Sequence, residues 1–194
     1  MKIFFYFFIV CFCSSCSAIL GIHQPQKLSD AEMMRFKKKI GIQDSATFFI
    51  DKDYLEVTKY CSALEKKHHL QPLQIKFYNK EGKLMSFFIN CNMPMKGTKL
   101  NWNNNEVLDS FYHKTATQID SCVSLNSLTE KIKSTNNSRI SWNDNNQLVA
   151  IIFWNKFMLK QSRNMIQQYK TAIRKNEKLA ITTIYVNDVI YLQH

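Results

Sequence analysis

The sequence lacks an apolar run long enough to cross a bilayer, and it contains few residues that break regular structure. Its 194 residues include 4 glycines and 3 prolines. Its longest apolar run, Ile3 to Cys13, falls short of the roughly 20 residues that a spanning helix needs. These absences exclude collagen-like and polytopic membrane proteins. Because 45% of the residues are hydrophobic, the chain is too apolar for disorder, and its length predicts one compact domain.

Motifs that mark common metal and redox sites are also missing. The sequence contains no CxxC, no HExxH and no cysteine and histidine pairs at zinc spacing. We therefore predict no metal site, no cofactor and no catalytic residue. The pair His68-His69 is predicted to lie at a solvated helix end, since adjacent helical residues point in different directions. The acid and base candidates Asp109, His113 and Asp120 form no catalytic constellation.

Arginine is scarce although the chain is basic. Lys+Arg number 26 against Asp+Glu 15, which gives a net charge of +11. Such a surface attracts anionic lipid head groups, polysaccharides or nucleic acids. Nucleic-acid recognition typically uses arginine forks and aromatic platforms, which the pattern lacks, so no nucleic-acid partner is predicted. Lysine, asparagine and isoleucine share AT-rich codons, so mutational bias is an alternative source of the charge.

The N-terminus has the pattern of an export signal. Lys2 precedes the apolar run, and small residues follow it. The segment Cys13-Ser14-Ser15-Cys16 resembles a bacterial lipobox, although a cysteine stands where leucine is usual. The resemblance implies a signal peptide over 1–15, lipidation of Cys16 and a tether over 16–28, with the protein anchored in the cell envelope at the outer membrane or the periplasmic face. The alternative is an ordinary signal cleaved near Ala18.

Three cysteines follow Cys16 in the predicted mature chain. Cys61, Cys91 and Cys122 allow one disulfide in an oxidising envelope, with one thiol left over. The sequence does not choose among the three pairings.

Capping and turn signals predict the elements of the first half. Ser29 and Glu32 form a capping box, so a helix is predicted from there to about Ile40, before Gly41. A strand is predicted over 47–50, a second helix from Asp51 to about Lys66, and a hairpin that joins 73–78 to 84–90.

Residues 91–146 form a long polar stretch interrupted by one short predicted helix, about 125–133. Aromatic side chains among amides are typical of surfaces that bind carbohydrate or protein. An alternative is that the aromatic residues fold back and fasten the segment onto the core. The candidate binding residues are Trp102, Phe111, Tyr112 and Trp142.

The C-terminal part predicts a strand, a helix and a second strand. The apolar run 148–154 is typical of a central strand, the helix covers about 158–175, and a β-branched run covers 179–186. This order predicts a right-handed crossover between parallel strands. The fold class is therefore α/β, with a central mixed sheet and a single domain over 29–194.

Phe153-Trp154, followed by Phe157 and a helix start, resembles the thioredoxin-like superfamily. The resemblance places the two redox cysteines at Met158 and Gln161, so it implies a degenerate, redox-inactive site. The chain ends too soon for the family's closing hairpin, and the earlier hairpin over 73–90 is predicted to supply those strands.

These observations favour a non-catalytic binding or scaffolding module of the envelope, anchored in the membrane by its lipid, with another envelope protein or a glycan as partner. The alternative is a thiol oxidoreductase-like or other enzyme of the thioredoxin-like superfamily.

Overall fold

The computed structural model describes residues 22, 28–43, 47–50, 52–110, 122–136, 138, 140, 148–176 and 179–189. The predicted signal peptide and Cys16 lie outside these residues. The helices are α1 (Asp30–Ile40), α2 (Tyr54–Val57), α3 (Ala63–His69), α4 (Val107–Ser110), α5 (Leu125–Thr129) and α6 (Leu159–Lys175). The strands are β1 (Phe48–Ile50), β2 (Gln74–Asn79), β3 (Leu84–Ile89), β4 (Met95–Lys96), β5 (Lys99–Leu100), β6 (Lys133–Ser134), β7 (Leu148–Trp154) and β8 (Ile181–Asp188).

Six of these strands form one mixed sheet in the order β3-β2-β7-β8-β1-β6. β7 pairs in parallel with β8, and β8 pairs in parallel with β1. The hairpin β2-β3 joins the other side of β7 in antiparallel orientation, so that Ile75 lies opposite Ile152. The α/β class, the mixed sheet and the hairpin are confirmed, and the structure places that hairpin beside the central strand.

All seven residues of β7 are buried, as its continuous apolar run predicts. Because successive side chains point to opposite faces of a sheet, β7 contributes to two core clusters. Ala150, Ile152 and Trp154 join the cluster beneath α1 and α6. Val149, Ile151 and Phe153 join the cluster on the opposite face, beneath α2 and α5.

The predicted helix between β7 and β8 is confirmed as α6. Its buried apolar residues include Met165, Ile166 and Tyr169, which recur at helical spacing and face the sheet. The hydroxyl of Tyr169 shares a hydrogen bond with Thr183 Oγ1. The crossover therefore packs its amphipathic face onto the strands that it joins.

The capping box of α1 is confirmed. Ser29 Oγ accepts from the backbone N–H of Glu32, and the Glu32 carboxylate accepts from the backbone N–H of Ser29. Gly41 ends the helix with φ of 88°, in the left-handed region. The last turn of α1 buries one lysine, Lys37, together with Ile40. The Nζ atom of Lys37 lies 3.4 Å from Thr47 Oγ1.

The prediction of one helix from Asp51 to Lys66 is wrong. The chain forms α2, turns, and begins again at α3, where Ser62 and Glu65 make a second capping box. An apolar face of that single helix would hold Tyr54, Val57 and Leu64, but Tyr54 and Val57 are buried whereas Leu64 is 60% exposed. The turn between the helices brings Cys61 to the core cluster beneath α2.

Among the described residues, no helix combines the length and apolar character that crossing a membrane requires.

Candidate functional site

Trp102 does not present an exposed aromatic surface. Its side chain is fully buried and belongs to the core cluster beneath α1 and α6. The expectation of an exposed ring is wrong for this residue, and the alternative, in which the ring fastens the polar segment to the core, holds. The other candidate binding residues, Phe111, Tyr112 and Trp142, lie outside the described residues, as do His113 and Asp120.

Amide side chains of α6 complete this attachment. Gln161 accepts from the backbone N–H of Leu100 and donates to the Thr98 carbonyl. Gln168 accepts from the backbone N–H of Asn103 at 2.9 Å and donates to the Leu100 carbonyl at 3.0 Å. Because these bonds satisfy polar backbone groups that would otherwise be desolvated, irregular chain can lie against the helix.

The resemblance places the redox cysteines at Met158 and Gln161, and both residues stabilise the fold. Met158 is the N-cap residue of α6 and joins the core cluster beneath it. Its backbone N–H donates to Asn155 Oδ1 at 2.9 Å, while Gln161 is buried and holds the segment after β4. A thioether and an amide in these positions supply no thiolate.

A groove of about 380 Å³ opens beside the first turns of α6. It lies between the C-terminal end of α1, the strand β5 and α6. Its lining combines four cationic side chains, two amides and one leucine: Lys39, Lys99, Lys160, Arg163, Asn164, Gln167 and Leu159. Acidic residues are absent from this lining, so its charge is of one sign.

Two of the four cations are held in place. Arg163 donates from Nε and Nη2 to the carbonyl of Lys39 at 3.0 and 2.8 Å. Lys160 Nζ donates to Thr98 Oγ1 at 2.9 Å. Lys39 and Lys99 are exposed, and their side-chain ammonium groups make no hydrogen bond or ion pair with other described residues. In the groove, Arg163 and Lys160 are therefore fixed by hydrogen bonds, and the ammonium groups of Lys39 and Lys99 can turn towards an anion.

Asp109, an acid candidate of the sequence, has a structural role. Its carboxylate accepts from Lys175 Nζ at 2.7 Å and from Asn103 Nδ2 at 2.9 Å. The hydrogen bond from Lys175 holds the pKa of Asp109 below its ordinary value of 3.8. The pair fastens the short helix α4 to the end of α6.

A carboxyl group whose pKa is lower in the folded chain stabilises the fold above its unfolded pKa, and this contribution is lost as the pH falls through the folded value. We therefore expect Asp109→Asn to lower the free energy of unfolding at neutral pH and to flatten its decline below pH 3.8. Urea unfolding at several pH values measures this difference. Glu130→Gln on the exposed end of α5 serves as control, and an equal flattening there would contradict the assignment.

The structure chooses one of the three open cysteine pairings. Cys61 and Cys122 form a disulfide with Cα atoms 5.4 Å apart, and Cys91 is a free, exposed cysteine. Partial desolvation raises the pKa of the Cys91 thiol, which opposes thiolate formation. Both cysteines of the disulfide are half-buried at the edge of the core cluster beneath α2.

A polar cluster lies in the core beside this disulfide. Lys76 is fully buried on β2, and its Nζ lies 2.8 Å from Tyr54 Oη and 2.8 Å from His69 Nδ1. The His69 ring stacks on Phe87 with centroids 4.8 Å apart. The prediction of a solvated end is therefore wrong for His69, which is fully buried.

Aromatic rings surround the Lys76 nitrogen. Its Nζ lies 4.9 Å from the ring centroid of Phe87, 5.0 Å from that of Phe153 and 5.5 Å from that of Tyr54. The negative faces of such rings attract an ammonium group. Tyr54 donates onward to the His69 carbonyl at 3.3 Å, so the lysine, tyrosine and histidine form one connected network.

Sequence reasoning missed both sites for the same reason. The groove residues come from α1, β5 and α6, and the cluster residues from α2, α3 and β2, so no spacing along the chain brings either set together. Lys76 alternates with apolar residues on β2, a pattern typical of a solvated face, but α2 and α3 cover that face.

Comparison of the chain with protein-family models, with curated proteins and with solved structures finds no match.

Proposed function

We propose that this chain is an exported, lipid-anchored envelope protein that binds an acidic saccharide in the basic groove, without catalysis. The groove beside α6 is the observation that carries the proposal. Its cations match carboxylate or phosphate groups, and charge-assisted hydrogen bonds of this kind are about twice as strong as neutral ones. Asn164 and Gln167 add amides that suit sugar hydroxyls, and Leu159 adds an apolar surface for a sugar ring.

Export is supported by the disulfide. A bond between Cys61 and Cys122 persists in an oxidising compartment and is uncommon in a reducing cytosol. Together with the leader pattern and the lipobox resemblance, this favours a place in the cell envelope. Attachment through Cys16 would hold the groove near a membrane surface, where its positive charge would attract acidic saccharides of the envelope.

The scaffold that we infer is thioredoxin-like with a rearranged chain order. In this interpretation β7, α6 and β8 form the parallel unit, and β2-β3 supplies the antiparallel hairpin from earlier in the chain. The loss of both thiols at Met158 and Gln161 supports a binding role for such a scaffold rather than a redox role at that position.

The double substitution of Lys39→Gln with Lys99→Gln tests the groove. Each charge-assisted hydrogen bond is worth about 1.5–3 kcal/mol, and 1.4 kcal/mol corresponds to a tenfold change in Kd. We expect the double variant to bind an oligogalacturonate at least about tenfold more weakly than the wild type by calorimetry. The neutral oligosaccharide of equal length is expected to bind weakly to both proteins.

The matched control is Lys80→Gln with Lys83→Gln, which removes the same charge from the β2-β3 turn. The backbone N–H of Leu125 at the start of α5 donates to the Gly82 carbonyl of that turn at 3.0 Å, on the opposite face of the sheet. An equal loss of saccharide affinity in the control would show that the weaker binding of Lys39→Gln with Lys99→Gln comes from the lower net charge and not from the groove. Equal binding of the acidic and neutral saccharides would overturn the proposed ligand class.

Lipid anchoring is tested by Cys16→Ser. A diacylglyceryl group is held in a bilayer by about 0.8 kcal/mol per buried CH₂, so its loss releases a protein that has no other anchor. We expect the wild type to sediment with membranes and the variant to appear in the soluble fraction, with Cys13→Ser as control. Membrane retention of Cys16→Ser, or a mass of the wild type without an acyl increment, would contradict this attachment.

A further inference from the structure

The Cys61–Cys122 disulfide lies at the protein surface and outside the regular elements. Both cysteines are half-buried, one between α2 and α3 and the other before α5. Thiol–disulfide exchange requires that an attacking thiolate reaches one of the two sulfurs. Two exposed apolar side chains stand directly before and shortly after Cys61 in the chain, since Tyr60 is 88% and Leu64 60% exposed.

An imidazole lies beside both sulfurs. The Sγ atoms of Cys61 and Cys122 and a ring nitrogen of His69 all lie within 4.8 Å of one another. Lys76 Nζ lies 2.8 Å from His69 Nδ1. Because an ammonium group can only donate, Nδ1 accepts this hydrogen bond and the ring hydrogen is on Nε2. The ring therefore has one N–H group that it can donate to a sulfur.

These surroundings favour a thiolate more than they favour the disulfide. The ammonium group of Lys76 is buried against His69 and the faces of Phe87 and Phe153. The two sulfurs are neutral while they are bonded to each other, and negative charge develops on one of them only when the bond breaks. A cation and an N–H donor stabilise that charge, and a more stable leaving thiolate makes exchange faster.

We propose that the Cys61–Cys122 disulfide exchanges with the thiols of a dithiol protein, and that His69 and Lys76 stabilise the leaving thiolate. The site uses neither of the positions at which the resemblance places redox cysteines. It lies on the opposite face of the sheet from the core cluster that adjoins the groove. It is therefore independent of saccharide binding.

The exchange takes two steps. A thiolate of the partner attacks Sγ of Cys61 and forms a mixed disulfide, and the electron pair of the broken Cys61–Cys122 bond remains on Cys122. The Cys122 thiolate accepts a hydrogen bond from Nε2 of His69 and takes a proton from solvent. The partner's second thiolate then attacks its own sulfur in the mixed disulfide and releases Cys61. The partner leaves as a disulfide, and the two protons that its thiols lose balance the two that Cys61 and Cys122 gain.

Reduction of the native wild-type protein tests the site. The oxidised protein is treated with reduced thioredoxin, a Cys-x-x-Cys protein, and loss of the Cys61–Cys122 bond is followed by alkylation and peptide mapping. We expect a reduction rate that stays constant as urea is added below the unfolding transition. A rate that rises with urea as the unfolded population rises would overturn the proposal, because only unfolded molecules would then react.

A thioredoxin whose second active-site cysteine is replaced by serine identifies the attacked sulfur, because it stops the exchange at the mixed disulfide. The protein carries Cys91→Ala, which removes the free thiol. We expect the mixed disulfide on Cys61, with Cys122 left as a thiol that can be alkylated. A mixed disulfide on Cys122, or none in the folded protein, would overturn the mechanism.

Two variants test the stabilisation of the leaving thiolate. Lys76→Met and His69→Phe are each expected to slow reduction about tenfold, the order of effect for a hydrogen bond to a charged group. Formation of the Cys61–Cys122 disulfide before reduction verifies that each variant folds. A folded variant that is reduced as fast as the wild type would remove that residue from the site.

The pH profile of alkylation in the reduced protein separates this role from a structural one. Alkylation of Cys122 should require a higher pH in Lys76→Met than in the wild type, because its thiolate loses the neighbouring charge. The exposed Cys91 is the control in the same samples and should keep its profile. Equal shifts at both cysteines, or none at Cys122, would contradict the role of Lys76.

The exposed apolar side chains are tested by Tyr60→Ser with Leu64→Ser. We expect this variant to be reduced more slowly than the wild type by thioredoxin, and at the same rate by dithiothreitol, which is too small to contact both side chains. The matched control is Met34→Ser with Met95→Ser, which removes two other exposed apolar side chains. Equal slowing with both reductants, or equal slowing in the control, would overturn the contact of the partner with Tyr60 and Leu64.

Discussion

Replacing Cys61 and Cys122 together by alanine is expected to lower the free energy of unfolding by about 4 kcal/mol. The disulfide closes a loop between residues 61 positions apart. Cross-links restrict the unfolded chain, and in the chain-entropy treatment this restriction grows with the logarithm of loop length. The bond also holds the turn after α2 against the segment before α5, two short elements with little regular structure of their own.

Urea unfolding of the oxidised protein and of the double variant measures this difference. Cys91→Ala is the matched control, because it removes an exposed cysteine that forms no cross-link, and surface changes of this kind are usually within about 0.5 kcal/mol of the wild type. A double variant as stable as Cys91→Ala would show that the bond does not limit the unfolded chain in this way.

Trp102→Ala is expected to lower the free energy of unfolding by about 3–5 kcal/mol, the range for large aromatic residues in a core. The Trp102 side chain is fully buried beneath α6 and is among the largest buried side chains of the described residues. It anchors a segment whose other attachments include amide hydrogen bonds from Gln161 and Gln168 and the buried side chain of Leu108. Loss of the ring should therefore detach residues 98–108 before the rest of the chain unfolds.

Trp102→Phe distinguishes apolar packing from polar contact. The Nε1 atom of Trp102 is buried and makes no hydrogen bond with the described residues, so phenylalanine removes volume without breaking a bond. We expect it to cost less than Trp102→Ala. Limited proteolysis should cut Trp102→Ala first between 98 and 108, and an unchanged digestion pattern would contradict the anchoring role.

The groove and the disulfide can be tested independently because the sheet separates them. The groove beside α6 adjoins the core cluster that contains Trp154 and Met165, whereas the disulfide and Lys76 lie with Phe87 and Phe153 on the opposite face. Local changes at distant sites with no shared contacts usually combine additively. Saccharide binding should therefore survive reduction of the Cys61–Cys122 disulfide.

Elements with strong local signals are determined by the sequence alone. The seven-residue apolar run of β7, the amphipathic α6 and the capping box at Ser29 each specify a conformation through neighbours a few residues away. The hairpin at 79–83 follows from a glycine that takes positive φ, 76° at Gly82. From these elements the α/β class and the β2-β3 hairpin could be predicted, whereas the pairing of β2 with β7 came from the structure.

Only the tertiary structure decided which side chains are buried and which distant residues meet. Ser62 ends the predicted long helix because its capping box competes with helix continuation, and this places Cys61 opposite Cys122. Lys76 and His69 are polar by sequence but become core residues because α2 and α3 cover them and each supplies a partner for the other. The hydrophobic pattern of a segment shows which residue types are usually exposed to water. Whether a given side chain is buried depends on what the rest of the chain packs against that face. The groove beside α6 and the cysteine pairing have the same origin, since contacts between distant segments leave no periodic trace in the sequence.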